Sequence, residues 1–226
     1  MMKIAAVVLS GGSGKRLGGQ IPKQYIEVAG RPVLGYALKA FEESRVDEVC
    51  LVCAGEYISL GKKISLEFKK VSRVVPGGAE RFDSVKAGLE ALEGESPDYV
   101  LIHDGARPYI TALGINKMID AAASYGAAVA ACRSTDTIKI ADEEGCIKES
   151  PAREYCFQVQ TPQCFKFTEI LEAYRMVSKD SSITDDASVY GKAFAGRKIK
   201  LVDIGEENSK ITTPSDLEIM RFRLES

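Results

Sequence analysis

The sequence predicts an α/β domain of three layers, in which a Rossmann-like, mostly parallel sheet lies between two layers of helices. Two observations support this prediction. Short runs of branched and aliphatic residues alternate with segments of helical periodicity along most of the chain. The first apolar run is followed by a glycine-rich loop, a helix and a second apolar run, as in a βαβ unit. We expect one domain over residues 1–226, without a linker that would divide it.

The predicted strands are continuous apolar runs, which is the pattern of strands buried on both faces. In chain order they are residues 4–9, 49–52, 71–75, 99–102, 127–132 and 199–204. The predicted helices are residues 32–43, 81–92, 114–123, 167–177 and 185–194. A last short helix is expected after Thr213, because Thr213 is a good N-cap residue, Pro214 suits the first helical position and Asp216 puts an acid in the first turn.

Residues 134–161 interrupt this alternation. They contain two short strand-like pieces, residues 137–140 and 146–148, on either side of an acidic turn at residues 142–145. Two short strands joined by a turn of this kind form a β-hairpin. We therefore expect residues 134–161 to form a protruding β-hairpin arm.

Composition and charge exclude several classes of protein. Hydrophobic residues make up 45% of the chain and charged residues 27%, so the chain can bury a core and is not disordered. The formal net charge of -2 gives no overall attraction to nucleic acid or to an anionic membrane. The apolar run at residues 4–9 is too short for a signal peptide or a membrane span, so we expect a cytoplasmic protein.

The six cysteines are expected to be free thiols, because the chain has no secretion signal. Cys50 and Cys53 have the CxxC spacing of redox and zinc sites. They lie in a predicted buried strand, where positions three apart face opposite sides of the sheet. We therefore interpret both as core residues.

The glycine-rich loop follows the first strand, where a parallel sheet presents its ligand-binding edge. It consists of Ser10, Gly11, Gly12, Ser13, Gly14, Lys15 and Arg16. It is not a P-loop, because Arg16 follows Lys15 where Ser or Thr is required. It is not a dinucleotide-binding loop either, because Leu17 stands in the place of the third glycine of that motif. Taken alone, the loop fits either a phosphate site with basic side chains or a solvated turn.

Together with Pro22-Lys23-Gln24-Tyr25, this loop resembles the opening signature of the 2-C-methyl-D-erythritol 4-phosphate cytidylyltransferase family. Six further blocks follow in the family's order, at residues 77–85, 103–108, 136–139, 161–163, 184–188 and 210–214. The resemblance implies the nucleotide-diphospho-sugar transferase fold. It also implies conversion of CTP and 2-C-methyl-D-erythritol 4-phosphate to 4-diphosphocytidyl-2-C-methyl-D-erythritol and pyrophosphate, in non-mevalonate isoprenoid precursor synthesis.

The resemblance assigns catalytic roles to three cations. Arg16 and Lys23 would stabilise the transition state at the α-phosphorus, and Lys210 would bind the substrate phosphates. Such a transfer depends on cations placed around the oxygens that gain charge, and no covalent enzyme intermediate is implied.

Nucleotide binding is assigned to two segments. The backbone of the first loop, from Ser10 to Lys15, would hold the phosphates of CTP. The backbone at Gly78 and Ala79 and the hydroxyl of Ser84 would recognise the cytosine. Ala79 stands where the family often has Asp, which leaves only a backbone contact at that position.

The resemblance makes Asp104 a ligand of Mg²⁺, at the end of the strand predicted at residues 99–102. His103 is the only histidine. The attacking phosphate monoester is already ionised and needs no general base, so we assign His103 to packing or orientation. Asp185 and Asp186 open a predicted helix and are assigned to its dipole, outside the catalytic set.

The acceptor would be bound by Arg107, Thr137 and Arg153. In the family the arm clasps a second subunit, so the resemblance implies a homodimer in which Arg153 reaches the partner's active site. Around Arg153 the sequence matches the family only loosely.

Two alternatives remain at this stage. D-ribitol 5-phosphate cytidylyltransferases, which make CDP-ribitol, share the opening loop, residues 161–163 and residues 210–214. The block at residues 136–139 favours the methylerythritol family. The second alternative is a non-catalytic nucleotide-binding regulator, although the charged residues Arg16, Lys23, Asp104 and Lys210 are all present.

Overall fold

The computed structural model describes residues 2–12, 21–205 and 208–225. The strands found there are β1 (Ile4–Ser10), β2 (Glu27–Val28), β3 (Arg31–Pro32), β4 (Glu48–Cys53), β5 (Val71–Pro76), β6 (Tyr99–Asp104), β7 (Ala127–Arg133), β8 (Ile140–Ala141), β9 (Ile147–Glu149), β10 (Phe157–Lys166) and β11 (Lys200–Asp203). The α-helices are α1 (Val33–Glu43), α2 (Ile58–Ser65), α3 (Arg81–Ala91), α4 (Ala112–Tyr125), α5 (Phe167–Met176), α6 (Asp186–Ala193) and α7 (Pro214–Glu225).

Seven of these strands form the central sheet, in the order β11-β7-β10-β6-β1-β4-β5. Strand β1 pairs in parallel with β4 and β6, β4 with β5, and β11 with β7. Strand β10 is antiparallel to both of its neighbours, β6 and β7. The sheet is therefore mostly parallel, as the sequence predicts.

Helices cover both faces of the sheet. Apolar side chains of α1, α2 and α4 pack on one face with residues such as Leu34, Ile64 and Ile115. Helices α3, α5 and α6 pack on the other face. Cys53 belongs to the first of these cores and Cys50 to the second, so the two thiols face opposite sides of β4, and both are free. The three-layer prediction is confirmed.

Strand β10 is an element that the sequence analysis missed. It begins in the segment assigned to the arm and ends in the middle of the sheet, between β6 and β7. Gln158, Gln160 and Gln163 interrupt its apolar residues, and Pro162 argues against a central strand. The pairing of β10 with β7 shifts register between Val159 and Gln163, which accommodates the proline. Helix α2 and the small β2-β3 pair were also missed.

Strands β8 and β9 form a separate antiparallel pair within residues 134–161. They lie one to three residues further along the chain than predicted. Residues 135–150 are all exposed. Helix α7 packs through Leu217 and Met220 on Val33 at the start of α1. Among the described residues, no helix is long and apolar enough to cross a bilayer.

Candidate active site

A pocket of about 420 Å³ opens at the carboxyl ends of β1 and β6. These two strands are neighbours, and from them the chain continues in opposite directions across the sheet, so this is a topological switch point, where α/β sheets bind ligands. The pocket is lined by Leu9, Gly11, Gly12, Lys23, Gln24, Gly78, Ala79, Glu80, Arg81, Ser84, Asp104, Ala106, Lys210 and Thr212. Of the predicted site residues that the structure describes, the fold therefore brings eight of twelve together in this pocket.

The start of the glycine-rich loop is held by Gln24. Its amide donates to the carbonyl oxygens of Ser10 at 2.6 Å and Gly12 at 2.9 Å. The hydroxyl of Ser10 is buried against Tyr25, at 3.0 Å, so Ser10 does not line the pocket. Sequence reasoning gave no role to Gln24, although it belongs to a motif that carried the resemblance. Ser13, Gly14, Lys15 and Arg16 lie outside the described residues, and their roles stay predictions.

Lys23 is the buried cation of this end of the pocket. Only 8% of its surface is exposed. It begins the short turn Lys23–Tyr25, which leads into β2 and packs against α1. A lysine that is buried in a short turn has little freedom to move, and Lys23 lines the cavity.

The opposite end of the pocket is built by the turn between β5 and α3. A Cβ atom at Gly78 would lie 2.2 Å from the Cβ of Asp83, so only glycine fits there. Ser84 is buried, and its hydroxyl donates to the carbonyl of Glu80 at 3.0 Å. Its oxygen can still accept a hydrogen bond from a ligand. Gly78, Ala79 and Ser84 thus line the same pocket.

Asp104 ends β6 and lies at the centre of three cations. Its Oδ2 atom is 2.7 Å from Nζ of Lys210 and 4.0 Å from Nε of Arg107, and its Oδ1 atom is 3.3 Å from Nε of Arg81. Burial alone would raise the pKa of the Asp104 carboxyl, but the charges of Arg81 and Lys210 outweigh burial and hold that pKa well below its usual range. Asp104 is therefore ionised at neutral pH.

Arg107 lies behind Asp104 and does not line the pocket. Its Nη1 atom donates to the carbonyl oxygen of Asn208 at 2.9 Å. Its Nε atom is buried and has no hydrogen-bond partner among the residues that the structure describes. The predicted contact of Arg107 with the acceptor is not visible in this arrangement and stays a prediction.

His103 is fully buried beside the pocket. Its Nδ1 atom is 3.2 Å from Oγ1 of Thr161, and its Nε2 atom is 3.3 Å from the carbonyl oxygen of Arg107. Burial lowers the pKa of His103 to about 4, so the ring is neutral at pH 7. The Thr161 hydroxyl also accepts the N–H of Asp104 at 3.0 Å. These contacts agree with an orienting role for His103 and Thr161.

Arg81 and Asp186 are site residues to which the sequence analysis assigned no such role. Asp186 was assigned to a helix dipole, but the structure buries it completely and pairs it with Arg81 through two hydrogen bonds, at 2.7 and 2.8 Å. One signal was present in the sequence. Arg81 is the first residue of a predicted helix, where a positive charge is unfavourable unless it has another partner.

Thr137 and Arg153 lie together on the exposed segment and away from the pocket. Nη2 of Arg153 donates to Oγ1 of Thr137 at 2.9 Å. Neither residue lines the pocket of its own chain. Within one chain, the structure therefore brings these two predicted acceptor residues to each other and not to Asp104.

The fold and the pocket define an α/β nucleotide-binding enzyme with a cationic site at the edge of its sheet. The family model of 2-C-methyl-D-erythritol 4-phosphate cytidylyltransferase (IspD) matches residues 4–226. The chain belongs to this family.

Relatives and solved structures agree with this assignment. The chain is 46% identical to the 2-C-methyl-D-erythritol 4-phosphate cytidylyltransferase of Lachnospira eligens, over 95% of this chain and 96% of that protein. It is 43% identical to the enzyme of the same name from Pelotomaculum thermopropionicum, over 97% and 93% of the two chains. The crystal structure of 4-diphosphocytidyl-2C-methyl-D-erythritol synthase from Anaerococcus prevotii superposes with a TM-score of 0.90 at 31% identity, covering 100% of this chain and 97% of that one.

Proposed function

We propose that this cytidylyltransferase carries out its reaction, the transfer of the cytidylyl group of CTP to 2-C-methyl-D-erythritol 4-phosphate, in the pocket between β1 and β6. The observation that carries the proposal is the convergence of Lys23, Asp104 and Lys210 on one cavity at the carboxyl edge of the sheet. Lys23 is separated from Asp104 by a whole βαβ unit and more, so their convergence is a property of the fold. The products of the reaction are 4-diphosphocytidyl-2-C-methyl-D-erythritol and pyrophosphate, and the reaction belongs to isoprenoid precursor synthesis.

The side chains of the pocket supply positioning and charge. An oxygen of the acceptor phosphate attacks the α-phosphorus in line, and pyrophosphate leaves. Lys23 and Lys210 offset the negative charge that gathers on the phosphate oxygens. The narrow turn at Gly78 and Ala79, together with Ser84, holds the cytosine and excludes a larger purine. No nucleophilic side chain is required.

The donor set at Asp104 fits a magnesium ion that is held partly by substrate phosphates. Among the described residues there is no group of three or more His, Cys, Asp or Glu side chains that could hold a metal. Mg²⁺ commonly binds through one or two carboxylates together with substrate phosphates and waters. Asp104 supplies one ionised carboxylate in the pocket. When bound there, the ion would stabilise negative charge on the phosphate oxygens.

The acceptor is tested by measuring pyrophosphate release from CTP and Mg²⁺ with 2-C-methyl-D-erythritol 4-phosphate and, in parallel, with D-ribitol 5-phosphate. We expect a higher kcat/KM for the methylerythritol substrate, because the family model and the relatives carry that name. A preference for ribitol phosphate would contradict the acceptor assignment. Binding of CTP without pyrophosphate release from either acceptor would favour a non-catalytic regulator.

We also propose that residues 134–161 bind a second copy of the chain and that a homodimer completes the site. Three features support this. Ile140, Ile147 and Tyr155 are large apolar residues with 44%, 67% and 78% of their surface exposed, which is unusual for a segment that faces only water. Arg153 and Thr137 form a polar pair beside them. The pocket of one chain contains neither residue.

The cytoplasmic location of the enzyme stays a prediction.

Subunit complementation tests the dimer and the role of Arg153 together. Lys23→Ala and Arg153→Ala should each be inactive, but co-expression of the two variants should restore about a quarter of wild-type activity, because half of the dimers are mixed and each has one intact site. The matched control is co-expression of Lys23→Ala with Lys210→Ala. Both of these residues lie in the same pocket, so no mixed site is intact. Absence of rescue in the first mixture would contradict action of Arg153 on the partner's site.

A further inference from the structure

A chain of charged contacts leads from the pocket into the interior. Arg81 begins α3 and lines the pocket. Its Nε atom faces Oδ1 of Asp104 at 3.3 Å. Its Nη1 and Nη2 atoms donate to the two carboxylate oxygens of Asp186 at 2.8 and 2.7 Å. Arg81 therefore joins the first residue of α6 to the last residue of β6.

Asp186 is a rigid anchor for this arginine. Its side chain is fully buried, and the hydroxyl of Tyr174 donates to its Oδ1 atom at 2.6 Å. Burial, and next the charge of Asp186, raise the pKa of Tyr174, so the hydroxyl stays protonated and remains a donor. The ring of Tyr174 packs on Phe82, beside Arg81, with ring centroids 4.7 Å apart. The guanidinium of Arg81 is thus held by a carboxylate that is itself fixed by Tyr174.

The backbone that carries Asp186 is also fixed. Asp185 caps α6 and accepts a hydrogen bond from the amide of Gln163 at 2.8 Å. The N–H of Ala187 donates to the other end of the same amide group, also at 2.8 Å. Gln163 belongs to β10, which pairs with β6, the strand of Asp104. The anchor and the carboxylate that it controls are therefore parts of one rigid framework.

The pairing of Arg81 with Asp186 limits how Arg81 can contact Asp104. A bidentate carboxylate is the strongest partner that a guanidinium finds in a protein. Because Asp186 occupies both terminal nitrogens, only Nε of Arg81 faces Asp104. Asp104 keeps its Oδ2 atom on the side of Lys210, which is partly exposed in the pocket. Without Asp186, both terminal nitrogens of Arg81 would be released to compete for Asp104.

We propose that Arg81, anchored by Asp186 and Tyr174, is a positioning residue that holds Oδ1 of Asp104 so that Oδ2 faces the substrate phosphates. The proposal rests on the proposed function, because it takes the pocket at Asp104 as the reaction site. It extends the site inward from Arg81, which lines the pocket, to Asp186 and Tyr174, which do not.

A double-mutant cycle on kcat/KM tests this proposal. Arg81→Lys keeps the positive charge but removes the planar guanidinium that bonds to Asp186 and Asp104 at the same time. It should lower kcat by about 10-fold to 100-fold, as is typical for residues that orient a catalytic ligand. The KM for the acceptor should change little. In an Asp104→Asn background, Arg81→Lys should cause no further loss, because the carboxylate that it orients is gone. Losses that multiply in the double variant would overturn the proposal.

Asp186→Asn and Tyr174→Phe test whether Asp186 and Tyr174 hold Arg81 in place. They also test the proposal if Arg81→Lys does not fold. Both should lower kcat, with Asp186→Asn the more severe, while circular dichroism stays that of the wild type. The matched control is Asp120→Asn, which breaks the exposed contact of Asp120 with Arg45 and should leave kcat unchanged. Wild-type kcat in folded Asp186→Asn would overturn the anchor.

Calorimetric titration with CTP, once with Mg²⁺ and once with EDTA, adds a readout independent of turnover. Arg81→Lys should weaken the binding of CTP about 10-fold in Mg²⁺ and leave it nearly unchanged in EDTA. The reason is that Oδ2 of Asp104, which Arg81 orients, would act on CTP that carries Mg²⁺. Equal weakening under both conditions would overturn the proposal, since it indicates general damage to the pocket. An inactive wild type would contradict the proposed function itself. An active wild type with a severe Asp104→Asn defect and a silent Arg81→Lys would contradict only this inference.

Discussion

Replacement of Lys23 by alanine is expected to lower kcat by roughly 10²–10³-fold, which corresponds to about 3 kcal/mol of lost transition-state stabilisation. The physical reason is that Lys23 is a preorganised cation. It is buried and lines the cavity, so its charge acts in a medium of low polarity and needs no rearrangement during the reaction. The KM for CTP should rise much less than kcat falls, because the developing charge is larger than the charge of the ground state.

The measurement is steady-state pyrophosphate release with both substrates varied. Lys23→Met separates charge from volume, because methionine fills a similar space without the ammonium group. It should be as inactive as the alanine variant while unfolding closer to the wild-type temperature. Lys39→Ala is the matched control, since Lys39 is exposed on α1, where its ammonium lies 3.8 Å from Glu43. Near-normal kcat in Lys23→Met would contradict the catalytic assignment of Lys23.

Replacement of Asp104 by asparagine is the second change with a large expected effect. We expect kcat to fall by about 10²–10³-fold, because the Asp104 carboxylate is the proposed ligand of Mg²⁺, an ion that typically contributes several kcal/mol of charge stabilisation. The dependence of the rate on Mg²⁺ concentration should also shift to higher concentrations. Stability should fall at neutral pH, because Arg81, Arg107 and Lys210 then face one another without their shared anion.

The loss of stability in Asp104→Asn should depend on pH. The pKa of Asp104 is lowered in the folded state, so its contribution to stability is present above the unfolded pKa of a carboxyl and is lost as pH falls through the folded pKa. The stability difference between wild type and Asp104→Asn should therefore be largest near neutral pH and shrink under acid. Asp98→Asn, immediately before the other end of β6, is the control, because the Asp98 carboxylate accepts the N–H of Lys3 far from the pocket lining. An unchanged response to Mg²⁺ in Asp104→Asn would contradict the metal assignment.

Continuous apolar runs were sufficient to predict the six parallel strands of the sheet. Four of them, β1, β4, β6 and β7, are buried along nearly their whole length, and strands buried on both faces need apolar residues at every position. The same rule failed for β10. This strand contains three glutamines and a proline, yet it lies in the middle of the sheet, and the buried Gln160 and Gln163 make hydrogen bonds there. Gln163, for example, holds Asp185 and Ala187 at the start of α6. A polar strand in a buried position is not recognisable from periodicity alone.

The candidate site was predicted only in part, because some of its contacts join residues that are far apart in the chain. Gly78, the lysines and Asp104 stand in ordered motifs and were assigned to the site by resemblance. Arg81 stands in one of the same motifs but received no role, because its partner Asp186 is 105 residues away in the chain. Thr137 and Arg153 were predicted as acceptor residues, and a single chain leaves them on the exposed segment.

The sequence by itself determined the class of fold, the order of most elements, the family and the loops that meet at the pocket. These properties follow from local periodicity and from short motifs, which the chain carries wherever it is placed. Only the tertiary structure decided which charges pair. Asp104 meets Lys210 from 106 residues away and Arg81 from 23 residues away. Charge pairing depends on distances of a few ångströms between distant segments, and the packing of β6, β10, α3 and α6 sets those distances.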